Sequence, residues 1–157
     1  MKRILLATVA IALGACASGP AGSTGAAAKT PAEQILGKWN CKATTEGIAT
    51  DAAVTYLEGG KATMDAKIGV QQSGMAIEIL ATADASWKFL ADGKLEEMIT
   101  RMTVTKGSMG GNDVPPAMIQ GMIEEAVVNQ KTVSTATFTE TSFTSTDESG
   151  TVTSCAR

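Results

Sequence analysis

Side chains that could do chemistry are few in this chain and poorly placed for catalysis. Its 157 residues include no histidine. That removes imidazole bases, His-based triads and His-ligated metals together. Two adjacent carboxylate pairs occur, Glu96-Glu97 and Glu124-Glu125. Neighbours on a strand point to opposite faces, and neighbours on a helix diverge by about 100°. Both pairs therefore read as solvated surface. The segment "TSTDESG" holds serine and aspartate without a base to activate a nucleophile. Three cysteines complete the inventory, Cys16, Cys41 and Cys155. No catalytic residue, metal site or cofactor is expected, and an enzyme is the weakest reading of this sequence.

The context of Cys16 assigns it a different chemistry. Lys2 and Arg3 form a short basic region, and Ile4 to Leu13 is an apolar run of about ten residues, too short for a stop-transfer helix. It ends in Leu13-Gly14-Ala15-Cys16. "LGAC" resembles the bacterial lipobox, the alternative being an ordinary secretory signal peptide that contains a cysteine. The resemblance implies removal of residues 1–15 as a signal peptide and acylation of Cys16 as the new N-terminus. Several acyl chains on one residue anchor stably, whereas one chain binds marginally. Ala17, rather than aspartate, follows the cysteine. By the usual sorting rule this implies the periplasmic face of the outer membrane of a bacterial envelope. The membrane, through this anchor, is the first expected partner.

Residues 16–34 read as the lipidated cysteine and a flexible tether. The stretch "ASGPAGSTGAAAKTPAE" is small, rich in Gly, Ala and Ser, and has no apolar periodicity. Residues 35–157 suit one small domain. Losing Lys2 and Arg3 leaves eleven basic residues against sixteen acidic, a net charge of −5. With no basic cluster, nucleic-acid binding is not expected. With Cys16 consumed, Cys41 and Cys155 remain. Two thiolates do not make a zinc site, and in an exported protein a lone pair reads as a disulfide.

The elements that must position these residues are mostly strands. In "KATMDAKI", Ala62, Met64, Ala66 and Ile68 alternate with Lys61, Thr63, Asp65 and Lys67. That is the period of a half-buried antiparallel strand. In "MAIEILATADASWKF" the phase of Met75, Ile77, Ile79, Ala81, Ala83, Ala85, Trp87 and Phe89 never resets, which predicts one long, bent strand. A strand from Leu95 to Lys106 places Met98, Met102 and Val104 on one face. Lys106–Asp113 reads as a loop. "VPPAMIQGMIEEAVVNQ" then has helical spacing of Met118, Ile119, Met122, Ile123, Ala126 and Val127, with Asp113 available as its cap. This stripe is either core packing or a helix that closes the mouth of a cavity, with methionine adapting to apolar guests. Thr-rich strands finish the chain.

The expected strands are 38–45, 52–58, 61–69, 75–89, 95–106, 131–139, 142–147 and 151–157. Short connections imply an up-and-down antiparallel meander, and one of eight strands commonly closes into a barrel. The fold expected is all-β with one helix, inserted between strands five and six. Closure makes the first and last strands antiparallel neighbours. If Cys41 lies opposite Cys155, stepping two residues along each strand sets Trp39 opposite Arg157 on the same face. Directly opposed residues satisfy the Cα separation that a disulfide needs.

"LGKWNC" resembles the opening of lipocalin-like proteins, whose first strand carries Gly-x-Trp. The resemblance covers 35–157 and extends to small exported bacterial lipocalin-like lipoproteins. It implies that Trp39, after Gly37, packs at the closed end of the barrel against a late arginine, here Arg157. The helix between strands five and six departs from the lipocalin pattern, in which it follows the eighth strand. Plain core filling is the alternative role of Trp39 and Trp87. For function, the resemblance implies a tethered barrel binding a small apolar ligand or lipid. The candidate lining is Met64, Ile68, Ile77, Ile79, Trp87, Phe89, Met98 and Met102, with Ala62, Ala66, Ala81, Ala83 and Ala85 leaving room. The alternative is a filled barrel that serves as a structural or protein-interaction module of the envelope.

Overall fold

A computed structural model describes residues 28–72 and 74–157. The described residues are mostly antiparallel sheet with two helices. Its strands are β1 Gly37–Thr45, β2 Ile48–Leu57, β3 Lys61–Gln72, β4 Met75–Phe89, β5 Leu95–Met109, β6 Asn112–Val114, β7 Lys131–Phe138, β8 Ser142–Asp147 and β9 Val152–Ala156; the helices are α1 Pro31–Ile35 and α2 Pro116–Val127. The sheet order is β4-β3-β2-β1-β9-β8-β7-β5-β6, and β4 also pairs with β5. Eight strands therefore form a ring, with β6 outside it as a short hairpin partner of β5.

Strand alternation sets the inside and outside of this ring. β4 is a single strand of 15 residues, and Ile79, Ala81, Ala83 and Trp87 are buried on its inner face. Outer positions carry cross-strand ion pairs, among them Lys42–Asp51 at 3.1 Å and Arg101–Asp84 at 2.9 Å. The ladder between β1 and β9 pairs Cys41 with Cys155, and the two form a disulfide with Cα atoms 4.0 Å apart.

The two ends of the ring differ. Gly37, Leu57, Phe89, Phe138 and Ala156 lie at one end; Thr45, Met75, Met109 and Val152 lie at the other. The first end holds all six aromatic residues of the chain in one network of edge-to-face and tilted contacts. Trp39 meets Phe143 at 4.9 Å between centroids, and Phe143 in turn meets Phe138 and Tyr56. The second end belongs to the extended β3, β4 and β5. There α2 packs Ile119 on Ile79, Ala81, Ala83, Met102 and Val104.

Four sequence expectations change. The tether expected to reach residue 34 ends earlier, because Thr30 opens a capping box with Glu33 and Pro31 occupies the first turn of α1. Ile35 at the end of α1 is fully buried beneath the aromatic end. The described residues thus hold two helices rather than one. The expected loop Lys106–Asp113 is largely strand: β5 continues to Met109 and turns into β6 through Gly110 and Gly111, both at positive φ. Finally, Asp113 does not cap α2. It sits in β6 and pairs with Lys106 at 3.3 Å, while Pro115 occupies the cap position without a side-chain hydrogen bond.

Candidate functional site, an apolar pocket beneath a helix

β5 makes the site, and it does so through its irregularities. Its pairing with β4 skips Thr100 and Thr105: Ala85 pairs with Ile99 but Asp84 with Arg101, and Ala81 pairs with Val104 but Leu80 with Lys106. Each bulge resets the alternation. Leu95, Glu97 and Ile99 hold the inner phase before the first bulge; Met102 and Val104 hold it after. Met98 consequently shares the phase of the outward Glu96 and joins neither buried cluster. The sequence expectation that Met98, Met102 and Val104 share a face fails on this one extra residue.

The same shift corrects the reading of Glu97 as solvated surface. Glu97 points into the ring, where its Oε1 accepts a hydrogen bond of 2.7 Å from the hydroxyl of Tyr56, itself 5 % exposed. Burial pushes the Glu97 carboxyl above its usual value, and the Tyr56 bond offsets part of that rise. Burial, and then the charge of Glu97, push the Tyr56 phenol up as well. Its neighbour Glu96 behaves in the opposite way. Its Oε1 lies 3.1 Å from Lys88 Nζ and 3.7 Å from Lys131 Nζ, and hydrogen bonding from Lys88 chiefly holds this carboxyl below its usual value.

Two cavities meet at Glu97 and Met64. One, about 340 Å³, is lined by Ala85, Glu97, Met98 and Ile99 together with Ala126 and Val127 at the C-terminal end of α2 and Gln130 in the connection to β7. The other, about 210 Å³, lies between β1, β2, β8 and β9 and is lined by Ala52, Val54, Tyr56, Phe143, Ser145 and the disulfide. The first falls within the size range of small-molecule sites. Among the described residues, neither is lined by a lysine or an arginine.

α2 covers the open edge of β5. β7 pairs with β5 only from Leu95 to Met98, and β6 only from Gly107 to Met109. Between them the backbone of β5 lacks a strand partner on that side, and such groups must be satisfied. Gln120 does this from the helix: its Oε1 accepts from Val104 N–H at 2.7 Å and its Nε2 donates to Met102 C=O at 2.8 Å. Asn129, at φ 62°, donates its backbone N–H to Ile99 C=O at 2.8 Å. Gly107 lies directly beneath Ile119, where a Cβ would collide with the isoleucine side chain. The helix stripe is thus divided. Ile119, Ile123 and Val127 face the ring, and Met118 and Met122 are 67 % and 63 % exposed.

The residues singled out in the sequence do not gather around one cavity. Met64 lines both cavities and Met98 the larger one. Ile68, Ile77, Ile79 and Met102 pack in the cluster that α2 covers. Trp87 and Phe89 belong to the aromatic end, where Trp87 donates its indole N–H to Lys61 C=O at 2.9 Å. Of the small residues, Ala85 lines the larger cavity, while Ala62, Ala66, Ala81 and Ala83 are buried in packed core.

The closing seam is clearer. The Arg157 guanidinium lies 4.1 Å from the centre of the Trp39 ring, one step beyond the ladder pair Asn40–Ala156. It also donates to the carbonyls of Leu36 and Glu140, and the Arg157 backbone N–H donates to Thr141. Gly37 holds φ 107°, a conformation costly for any residue with a Cβ, and this turns α1 into β1. Trp39 donates its indole N–H to Ile35 C=O at 2.6 Å. Cys16 and the "LGAC" motif lie outside the described residues.

Two features of the site were missed in the sequence, Glu97 and Gln120. Glu97 lies two residues from Leu95 and two from Ile99, and that local phase was its available signal. Gln120 carried none, because its role depends on an edge left open by partners distant in sequence. No protein-family model matches the chain, and no curated protein matches it.

Proposed function

We propose that the chain is a lipid-anchored, lipocalin-like lipoprotein of the bacterial envelope that holds a small, largely apolar ligand inside its β-barrel. The anchor rests on the "LGAC" motif at Leu13–Cys16 and on the exported character that a disulfide in so small a domain implies. Lipocalin-like architecture is supported by the ring of eight antiparallel strands and by Gly37, Trp39 and Arg157 at its sealed end. The single observation that carries ligand binding is the 340 Å³ cavity lined mainly by Met64, Ala85, Ile99, Ala126 and Val127 beneath α2. Its lining is mostly apolar with a few polar groups, and its size suits a small molecule, as in ligand clefts.

Native mass spectrometry of the protein purified from its own envelope tests this reading. The expected result is a co-purifying small amphiphile, lost in an Ala85→Leu variant that fills the cavity. Wild-type protein that carries no adduct and takes up none from a mixture of simple lipids contradicts it.

The second reading is an interaction module of the envelope. One observation favours it: Met118 and Met122, one helical turn apart, are both exposed on α2. Crosslinking in intact cells from position 118 decides its case, with a reproducible protein adduct expected and a clean monomer against it.

A further inference from the structure

The head group of the ligand is written in the asymmetry of the cavity, and this inference rests on the binding function proposed above. Among the described residues, the space shared by the two cavities is lined by one acidic group, Glu97, and by no basic one. The cations near it are engaged elsewhere: Lys94 pairs with Asp92, Arg101 with Asp84 on the outer face, and Lys88 and Lys131 with Glu96. Of the two Glu97 oxygens, Oε1 takes the Tyr56 hydroxyl, and among the described residues Oε2 receives no hydrogen bond. An acceptor in an apolar, partly buried space, with one oxygen already engaged and the other free, is complementary to a donor. The remaining polar groups of the larger cavity, Gln130 and Thr132, stand on the side where α2 passes into β7. The apolar remainder, Met64, Ala85, Ile99 and Val127, suits an aliphatic chain.

We propose that Glu97 Oε2 selects amphiphiles whose head group donates a hydrogen bond, an aliphatic primary amine or alcohol, and rejects the corresponding carboxylates. The Tyr56 hydroxyl is a positioning group here. It fixes one carboxyl oxygen so that the other faces the guest. A fatty-acid anion entering the same space meets a second carboxyl with no cation to neutralise either, an arrangement that costs binding energy in a low-dielectric site.

The test is a comparison of decylamine, decanol and decanoate at neutral pH, with binding read by native mass spectrometry and by amide NMR shifts at Met64, Glu97 and Ile99, on wild-type protein and on Glu97→Gln. Wild type is expected to bind the amine and the alcohol at least roughly ten-fold more tightly than the carboxylate, the scale of one lost charged hydrogen bond. Glu97→Gln is expected to narrow that preference to within about three-fold, its amide both donating and accepting. Equal affinity of wild type for decanoate and decylamine overturns the head-group inference and leaves ligand binding standing. Failure of all three probes to bind overturns the binding function itself. If Glu97→Gln does not fold, as judged by its near-ultraviolet circular dichroism, the three-probe ranking on wild type still decides.

Discussion

At the end of the ring where α1 enters β1, six aromatic side chains, a disulfide and a stacked arginine converge. At the opposite end there is no aromatic residue in the buried cluster, and a helix of 12 residues lies over a strand edge that it satisfies with one glutamine. The first end is closed by side chains whose contacts are redundant. The second is closed by a helix held by Ile119, Ile123 and Val127, by the two hydrogen bonds of Gln120 and by that of the Asn129 N–H. Such contrasts separate the parts of a protein that open only with global unfolding from those that open locally. The cavity lies between the two ends, so its floor is rigid and its cover is the less firmly held part.

The largest effect that would break this contrast concerns Trp39. It is 1 % exposed and touches α1, Phe143 and Arg157. Trp39→Ala is expected to cost about 3–5 kcal/mol in urea unfolding, a large share of a small domain's stability. A cost below about 1 kcal/mol would mean that the aromatic end is not what holds the ring. Next comes the seam. Replacing both Cys41 and Cys155 by alanine opens a loop spanning 114 residues and is expected to cost about 2–5 kcal/mol. Unfolding curves of oxidised and reduced wild-type protein give the same comparison without mutation.

A smaller and more local effect is expected at the other end. Gln120→Ala leaves the Val104 N–H and the Met102 C=O without their helix partner, a loss of about 1–3 kcal/mol at that site. Native-state hydrogen exchange should show faster exchange at Val104 and through α2, with amides around Trp39 and Phe143 unchanged. Uniform acceleration across the ring would show that the two ends are coupled.

The pattern of what the sequence disclosed follows the same division. Cys41, Cys155 and Trp39 lie on regular strands and Arg157 one residue past β9, where register arithmetic still carries from one residue to the next, and their juxtaposition followed from a single assumed pair. The long phase of β4 was legible for the same reason. β5 was not, since Thr100 and Thr105 each insert a residue that alternation cannot anticipate, and Glu97 was assigned to the wrong face. The capping box at Thr30 and Glu33 was legible in principle as Thr-Pro-Ala-Glu, but the surrounding Gly, Ala and Ser composition concealed it. Gln120 depends on where β6 and β7 stop, which is a property of the whole ring.

The smallest expected effect is a pH dependence that distinguishes Glu97 from its exposed neighbours. Burial raises the folded pKa of Glu97 above 4.5. The folded state therefore binds that proton more tightly than the unfolded chain, and the stabilisation is fully present below pH 4.5 and lost as pH rises through the folded value. Glu96 and Asp147, whose carboxyls are held below their usual values, contribute with the opposite sign as acid is added. Comparing the melting temperature of wild type with that of Glu97→Gln removes the shared background. Wild type is expected to lose ground against the variant from pH 4.5 upward and then run parallel to it. Parallel curves throughout would place Glu97 in contact with solvent.

The central claim is that the space at Glu97, Tyr56 and Met64 is a binding site beneath α2, and an amide NMR titration with decylamine tests it most directly. The account predicts saturable shifts concentrated at Tyr56, Met64, Glu97, Ile99 and Val127, little change at Trp39 and Phe138, and no saturable response in Ala85→Leu. Shifts centred on the exposed Met118 and Met122 face, or an equal response in Ala85→Leu, would contradict it.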